Sequence, residues 1–310
     1  MKTKSLLIIG GTGFFGNSIL KYLLKKNFLK IKKIFILSRK KLELANYNKI
    51  LRKKFKIIKI NSNILTIKSL PKTDYVIYAA ILKNYKNDHK AVKNYLNLAK
   101  KYHLKSKILY TSSGAVYGQQ PKIIKKIKEN YLFKNKRIDF YNYNKNIYSM
   151  TKLKNEEIFK KLGKIGIKVS IARCFAFVGK HLPRDINFVV GNFIKNILNK
   201  EKIEVKSIHN VIRSYMHEDD LVVWLFKILK RANINCPIYN VGSDQEVNIR
   251  KLALYLSKKY KLPIKLKKIK SNFEDRYLPS ILKSKKELNL KLKYSNYSGI
   301  TEVISRLKNN

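Results

Sequence analysis

Residues 6–24 read LLIIGGTGFFGNSILKYLL, in which Gly10, Gly13 and Gly16 separate a short apolar run from a stretch with helical spacing. This order predicts a strand, a tight turn and a helix. Glycine lacks a Cβ, so its backbone can bend sharply and approach a ligand, and the helix that follows offers free N–H groups and the positive end of its dipole. The same residues also suit a turn that binds nothing. Because the turn directly follows the first strand, we favour a dinucleotide pyrophosphate as its ligand.

The first half of the chain alternates β-like runs with helical stretches, which is typical of a parallel sheet with crossover helices. The predicted strands are Leu6–Ile9, Lys33–Leu37, Phe55–Ile60, Tyr75–Tyr78, Lys107–Thr111 and Lys168–Ala172. Beyond about residue 179 the alternation weakens. We therefore predict an α/β fold, with a doubly wound parallel-sheet Rossmann domain over 1–178 and a smaller C-terminal α/β substrate lobe over 179–310. Some later segments are expected to return to the first domain.

The formal net charge is +50, but it does not single out a nucleic-acid partner. Only ten of the 69 basic residues are arginine, and the lysines occur along the whole chain together with many Asn and Ile. Proteins that read bases favour arginine forks. A general drift in composition therefore explains the charge better than nucleic-acid binding does. The positive field would still attract an anionic small substrate or a membrane surface.

Several classes of protein are disfavoured by what the sequence lacks. No apolar run approaches the ~20 residues of a membrane span. The first apolar run, LLII, is too short for a signal-peptide core, so we expect a cytoplasmic protein. The cysteines Cys174 and Cys236 lie far apart, and the five histidines show no metal-ligand spacing. The sequence predicts neither a disulfide framework nor a metal site.

The second predicted strand ends in KIFILSRKK, which places Ser38, Arg39 and Lys40 where a dinucleotide fold usually carries a ribose-binding acid. An acid would repel a 2′-phosphate, whereas serine and arginine would bind one. We therefore predict a preference for NADP over NAD. The alternative is that Arg39 is one more basic surface residue.

Two further stretches carry candidate catalytic residues. ILYTSSGAVYG, residues 108–118, ends the fifth predicted strand with Ser113, and IYSMTKLKNEEIF, residues 147–159, contains Tyr148 and Lys152. Residues four apart share one helix face. A lysine ammonium beside a tyrosine favours the phenolate form, which can take part in proton transfer near neutral pH.

A second Y-x-x-x-K pair, Tyr141 and Lys145, lies a few residues upstream. We prefer Tyr148 because a helical pattern follows it, whereas an Asn-rich stretch surrounds Tyr141.

The chain resembles the extended short-chain dehydrogenase/reductases, the NAD(P)-dependent nucleotide-sugar epimerase/dehydratase family. The resemblance covers nearly the whole chain and rests on several motifs in the family's order. These are GGTGFFG, DYVIYAA, TSSGAVYG, YSMTK, ARCFAFVG, RSYMHEDDL, YNVGS and DRYLPS. It implies that Ser113, Tyr148 and Lys152 are the catalytic set, and that Ser112 is structural.

The resemblance also implies the binding residues. The cofactor would contact Gly10, Thr12, Gly13, Phe14, Phe15, Gly16, Ser38, Arg39, Asn63, Ala79, Ala80, Tyr148 and Lys152. The nucleotide sugar would contact Ser113, Asn192, Arg213 and Arg276, with the two arginines on its diphosphate. A surface salt bridge is the alternative role of each arginine. Ala176 stands where many members of the family carry an Asn that contacts the substrate near its nucleotide. This chain therefore lacks that asparagine contact.

The implied reaction is hydride transfer between a sugar carbon and nicotinamide, with proton transfer by the tyrosine. Ser113 is followed by Gly114 and Ala115, where 4,6-dehydratases carry Asp-Glu. The resemblance therefore favours an epimerase or a 4-keto-sugar reductase. It also implies a homodimer, which is typical of the family. The alternatives are a 4,6-dehydratase and a non-catalytic Rossmann protein that binds nucleic acid or a protein partner.

Overall fold

The computed structural model describes residues 3–39, 48–131, 143–184 and 188–309. The chain divides into two compact units. Unit 1 comprises Met1–Val116, Phe140–Arg173 and Val222–Tyr239, and unit 2 comprises Tyr117–Asp139, Cys174–Leu221 and Asn240–Asn310. Each unit is thus assembled from three separate stretches of chain.

Strands and helices alternate along the described residues. In chain order they are β1 Lys4–Ile9, α1 Phe14–Lys25, β2 Ile31–Ser38, α2 Asn48–Lys54, β3 Lys56–Asn61, β4 Tyr75–Tyr78, α3 Tyr85–Tyr102, β5 Lys107–Ser113, α4 Tyr143–Lys164, β6 Lys168–Cys174, β7 Phe177–Val178, α5 Val189–Leu198, β8 Ile203–Val205, β9 Asn210–Arg213, β10 Met216–His217, α6 Glu218–Arg231, β11 Ile238–Val241, β12 Val247–Asn248, α7 Ile249–Tyr260, β13 Ile264–Leu266, β14 Glu274–Arg276, α8 Leu282–Leu288 and α9 Asn296–Lys308. A 3-10 turn, Gly114–Tyr117, follows β5. The predicted strands of the first half coincide with β1 to β6 apart from their end residues.

The largest sheet has seven strands in the order β11-β6-β5-β4-β1-β2-β3. The pairs β1–β2, β1–β4, β2–β3 and β4–β5 are parallel. All four residues of the apolar run in β1 are fully buried, as expected for a strand covered on both faces. The predicted doubly wound α/β fold is therefore confirmed.

The register of this sheet places several strand ends at one edge. Ile9 of β1 pairs with Leu37 of β2 and with Tyr78 of β4. The residues that directly follow these three positions are therefore neighbours. In a doubly wound sheet the carboxyl edge is where ligands bind.

Unit 1 has an aromatic core beside the sheet. Tyr110 of β5 stacks on Phe159 of α4 with ring centroids 4.2 Å apart, and Tyr78 and Tyr95 contact the same phenylalanine at 5.5 and 5.8 Å. All four side chains are buried. This packing fixes α4 against β5 and β4.

Unit 2 contains smaller sheets, including the three-stranded sheet β12-β9-β14. Its core is formed by apolar residues of α5, α7 and α9 together with β8 and β9. Among the described residues, no helix is long and apolar enough to cross a membrane, and no three His, Cys, Asp or Glu side chains cluster as metal ligands.

Candidate functional site

The glycine turn lies at the carboxyl edge of the large sheet, and its backbone leaves no room for side chains at two positions. Gly10 has φ +87°, and a Cβ on it would lie 2.7 Å from the Ala80 backbone. A Cβ on Gly16 would lie 2.2 Å from the carbonyl oxygen of Gly11. Glycine at these positions lets the first turn of α1 pack directly against the loop.

Helix α1 begins at Phe14 with Gly13 as its N-cap, and no side chain caps it. Its first turn carries no acidic residue. The amide groups at this helix end, together with the positive end of the dipole, suit an anion such as a pyrophosphate.

An open cavity of about 180 Å³ adjoins the turn. Eight of the predicted cofactor residues line it, namely Gly10, Thr12, Gly13, Ser38, Arg39, Asn63, Ala79 and Ala80. Phe14, Phe15, Gly16, Tyr148 and Lys152 are not among the residues that line it. Sequence reasoning missed Ser62, Ile64, Ile81 and Leu82 in the lining. Their position after β3 and β4, at the same edge as the turn, is the signal that could have identified them.

The end of β2 contributes two side chains that differ in their surroundings. Ser38 is buried, and its hydroxyl lies 2.6 Å from the Thr12 hydroxyl of the glycine turn. Arg39 is exposed and also lines a second cavity of about 290 Å³, which includes Asn63 and Lys83. The cationic side chain at this end is therefore accessible to a ligand, whereas the serine belongs to the packed turn.

Asn63 follows β3, and its side chain already has a structural partner. Its Oδ1 accepts a hydrogen bond from the Leu65 backbone N–H at 3.1 Å. An amide oxygen has two lone pairs, so it retains the capacity to accept a second bond.

The predicted catalytic residues all belong to unit 1. Lys152 of α4 is buried, and its Nζ lies 3.5 Å from the Thr111 carbonyl oxygen and 5.2 Å from the centre of the Tyr110 ring. Tyr148 is half-buried, one helical turn before Lys152. Ser113 ends β5, and its Oγ accepts a hydrogen bond from the Ala115 backbone N–H at 3.1 Å. Lys152 therefore lies against the strand end that carries Ser113.

The charge state of Lys152 follows from its surroundings. Burial disfavours the ammonium, but Tyr110, Tyr148 and Asp88 outweigh it, so the pKa of Lys152 is raised above its ordinary value. Burial raises the pKa of Tyr110 as well. Lys152 is thus a permanent cation at neutral pH beside a neutral phenol.

Sequence reasoning missed a buried ionic network next to these residues. Glu156, one turn after Lys152, accepts hydrogen bonds from the Ser112 hydroxyl at 2.6 Å and from Arg173 Nε at 3.1 Å. Arg173 lies near the end of β6. The network joins α4 to the ends of β5 and β6, and so holds Lys152 and Ser113 in a fixed relation.

A second set of hydrogen bonds joins α4 to the loop after β4. Asp88 of α3 accepts hydrogen bonds from the Leu82 backbone N–H at 2.9 Å and from Asn155 Nδ2 at 3.1 Å. Asp88 and Asn155 are both buried. The loop that lines the cavity is therefore linked to the helix that carries Tyr148.

The predicted substrate arginines lie in unit 2, where both are paired with acids. Arg213 Nη2 is 2.6 Å from Asp275 Oδ2, and Arg276 Nη1 is 2.5 Å from Glu246 Oε2. Asn192 is exposed on α5. The second Y-x-x-x-K pair consists of Tyr141 and Lys145. Tyr141 lies outside the described residues, and Lys145 is exposed on α4.

The seven-stranded sheet, the glycine turn and the cavity at its carboxyl edge define a Rossmann-like α/β protein. The sequence profile of the NAD dependent epimerase/dehydratase family matches residues 6–242. The chain belongs to this family, which confirms the resemblance found in its motifs.

Relatives and solved structures agree with this assignment. An uncharacterized protein of Methanocaldococcus jannaschii is 26% identical over 294 residues, with 84% of this chain and 83% of that protein covered. The dTDP-D-glucose 4,6-dehydratase of Dictyostelium discoideum is 29% identical over 273 residues, with 79% and 59% covered.

Two structural neighbours show how widely the fold is shared. The dTDP-glucose 4,6-dehydratase of Bacillus anthracis in complex with NAD has a TM-score of 0.80 at 19% identity, with 99% of this chain and 97% of that chain covered. The UDP-N-acetylglucosamine 4-epimerase of Methanobrevibacter ruminantium has a TM-score of 0.78 at 20% identity, with 100% and 99% covered. At this identity the likeness establishes the fold, which dehydratases and epimerases have in common.

Proposed function

We propose that this chain modifies a nucleotide-activated sugar by nicotinamide-dependent hydride transfer, as an epimerase or a 4-keto-sugar reductase. The observation that carries the proposal is the buried Lys152 cation, which contacts the end of β5 beside Ser113 and lies one helical turn from Tyr148. These residues belong to the same unit as the cavity at the glycine turn.

The residues at the cavity fit a nicotinamide dinucleotide. At Gly10 and Gly16 a side chain would clash with neighbouring backbone, so glycine is needed there for the tight turn. The uncapped start of α1 supplies N–H donors for a pyrophosphate. The dinucleotide, when bound, supplies the hydride acceptor or donor. We assign it to unit 1, and the diphosphate of the sugar nucleotide to Arg213 and Arg276 of unit 2.

In this proposal Tyr148 exchanges a proton with the hydroxyl or carbonyl oxygen of the sugar. Lys152, one helical turn further along α4, places a buried positive charge near the proposed site of proton transfer. The Ser113 hydroxyl donates a hydrogen bond to the same sugar oxygen, and it is held near that position by the Ala115 amide. The Glu156 network keeps strand and helix aligned while the proton moves.

The residues after Ser113 favour an epimerase or a reductase over a dehydratase. Elimination of water needs an additional acid and base, whereas the 3-10 turn here starts with Gly114 and Ala115. Neither residue can transfer a proton through its side chain.

We further propose that NADP is preferred over NAD. Arg39 is exposed beside the cavity, and no acid stands at the end of β2. A fluorescence titration of NADPH and NADH against the wild type and Arg39→Ala tests this. The variant should lose affinity for NADPH and keep its affinity for NADH. Equal losses for both would contradict the preference.

The proposal includes a homodimer in the cytoplasm. Cys174 and Cys236 are buried and form no disulfide, which agrees with a reducing compartment.

The test of the reaction is turnover of a panel of UDP- and dTDP-sugars by the wild type, Tyr148→Phe and Tyr141→Phe. Tyr148→Phe should lose turnover by about 10²-fold or more and retain cofactor binding, because only the proton-transfer group is removed. Tyr141→Phe should remain active. Full activity of Tyr148→Phe with loss in Tyr141→Phe would move the role to Tyr141. Mass spectrometry of copurifying small molecules separates the two reactions, since retained dinucleotide indicates an epimerase.

A further inference from the structure

Arg276 ends strand β14, and two carboxylates cover its guanidinium group. Its Nε and Nη2 each lie 2.9 Å from Glu274 Oε1, and its Nη1 lies 2.5 Å from Glu246 Oε2. Only 3% of the Arg276 side chain is exposed. Each of its three nitrogens therefore already contacts a carboxylate oxygen.

The local charge does not suit an anionic ligand as it stands. Arg213 pairs with Asp275, and Arg276 pairs with Glu246 and Glu274. Two positive and three negative groups give this cluster a formal charge of −1. Withdrawal of one carboxylate would favour a diphosphate here, because like charges at such distances repel.

The two partners of Arg276 differ in how readily they can withdraw. Glu274 lies two residues before Arg276 on the same strand, and its side chain is 16% exposed. Glu246 directly precedes β12, at the opposite edge of the sheet β12-β9-β14, and its side chain is 48% exposed. Water can replace Arg276 as the partner of Glu246, so this carboxylate is the one that can leave.

We propose that Glu246 is a built-in competitor for Arg276, which it occupies until the diphosphate of a sugar nucleotide displaces it. Glu274 stays in place and aims the guanidinium group. The inference rests on the proposed function, since it takes the diphosphate as the ligand of Arg276. Glu246 thereby sets the affinity and selectivity of the site, because a ligand must present enough negative charge to displace it.

Isothermal titration of UDP and dTDP into the full-length wild type, Glu246→Gln, Asp244→Asn and Glu274→Gln tests this inference. Asp244→Asn is the matched control: its carboxylate lies two residues from Glu246 but pairs with Lys285 at 3.1 Å. Glutamine keeps the shape of Glu246 and removes its charge. Glu246→Gln should bind UDP or dTDP about two- to fivefold more tightly than the wild type. Asp244→Asn should stay near the wild-type value.

Glu274→Gln should gain less affinity for UDP or dTDP than Glu246→Gln does, because the loss of its charge is offset by a weaker contact that orients Arg276. Uridine, which carries no phosphate, should bind to Glu246→Gln and to the wild type with equal affinity. If the wild type binds a nucleoside diphosphate and Glu246→Gln binds it no more tightly than Asp244→Asn does, the competitor role is overturned and the proposed function stands. If no variant binds UDP or dTDP, the proposed substrate class is overturned, and this inference with it.

Discussion

Glu156 and Arg173 form a buried ion pair, with Arg173 Nη2 2.8 Å from Glu156 Oε2 and both side chains at most 9% exposed. The pair joins the helix of Lys152 to the end of β6, and the Ser112 hydroxyl completes it. Its position ties the proposed catalytic residues to the rigid part of the sheet.

Removing one charge of this pair should be strongly destabilising. Glu156→Gln takes from the buried Arg173 the carboxylate that it pairs with, and we expect the free energy of unfolding to fall by about 3–5 kcal/mol in urea unfolding. Ser112→Ala removes one hydrogen bond to the carboxylate and should lower it by about 1.5–3 kcal/mol. A double variant, Glu156→Met with Arg173→Met, should lose less than the sum of the single changes. Additive losses would show that the two side chains do not act together.

The glycine turn should tolerate alanine at one position and not at another. In Gly16→Ala the new Cβ meets the Gly11 backbone at 2.2 Å, which cannot give way as a side chain could. In Gly13→Ala the nearest atom is 3.4 Å away, an ordinary contact. We expect Gly16→Ala to lower the free energy of unfolding by about 1–3 kcal/mol and to reduce dinucleotide binding. Gly13→Ala should keep near wild-type stability in the same urea unfolding experiment, and equal losses would contradict the close packing.

A buried amide should control the stability of unit 2. Asn240 Nδ2 donates to the carbonyl oxygens of Ile127 at 2.9 Å and Ser280 at 3.1 Å, and its Oδ1 accepts from the Tyr117 hydroxyl at 2.8 Å. Asn240→Ala removes three buried hydrogen bonds, so we expect a loss of about 3 kcal/mol or more. Tyr117→Phe removes one hydrogen bond and should cost about 1 kcal/mol. Thermal unfolding of both variants checks the ranking, and a smaller effect for Asn240→Ala would refute it.

A buried histidine should make unit 1 less stable in acid. His103 Nε2 donates to the Pro71 carbonyl oxygen at 3.1 Å, and its Nδ1 lies 3.3 Å from the Tyr95 hydroxyl. Burial lowers the pKa of His103 from 6.5 to about 4. Between these values the unfolded chain binds a proton that the folded chain does not. The stabilisation is complete above about pH 6.5 and is lost as the pH falls towards 4.

The loss through His103 should reach about 3 kcal/mol at pH 4. It is measured as the free energy of unfolding in urea at several pH values. His103→Gln should flatten this part of the pH dependence. An identical slope in His103→Gln would mean that other groups cause the acid sensitivity.

The fold was predictable where its determinants are local. The run Leu6–Ile9, the glycines after it and the helical spacing beyond are contiguous, and the structure has β1, the turn and α1 there. Shared strand ends then place Ser38 and Ala79 beside the turn, because parallel strands end at one edge. The periodicity of the sequence and the parallel topology together were sufficient to predict this part of the cavity.

Other features depend on residues far apart in sequence. The strand β11, which extends the large sheet beside β6, comes after the short strands of the second half, and its local pattern does not distinguish it from them. The partners Arg213 and Asp275 are 62 residues apart. Nothing in the spacing of acids and bases indicates such a pair, since each charge taken alone is typical of a solvated surface residue.

Thr12 and Ser38 share a hydrogen bond and line the cavity, and Arg39, which also lines it, is exposed to solvent. The side chain of Ser38 is thus part of the packed turn, whereas the side chain of Arg39 is exposed. In the proposed function Arg39 meets the ribose end of the dinucleotide, so substitution at position 39 can change that contact without repacking of the interior. If the turn binds the pyrophosphate as proposed, homologues of this chain should vary in dinucleotide preference more readily than in the architecture of the glycine turn.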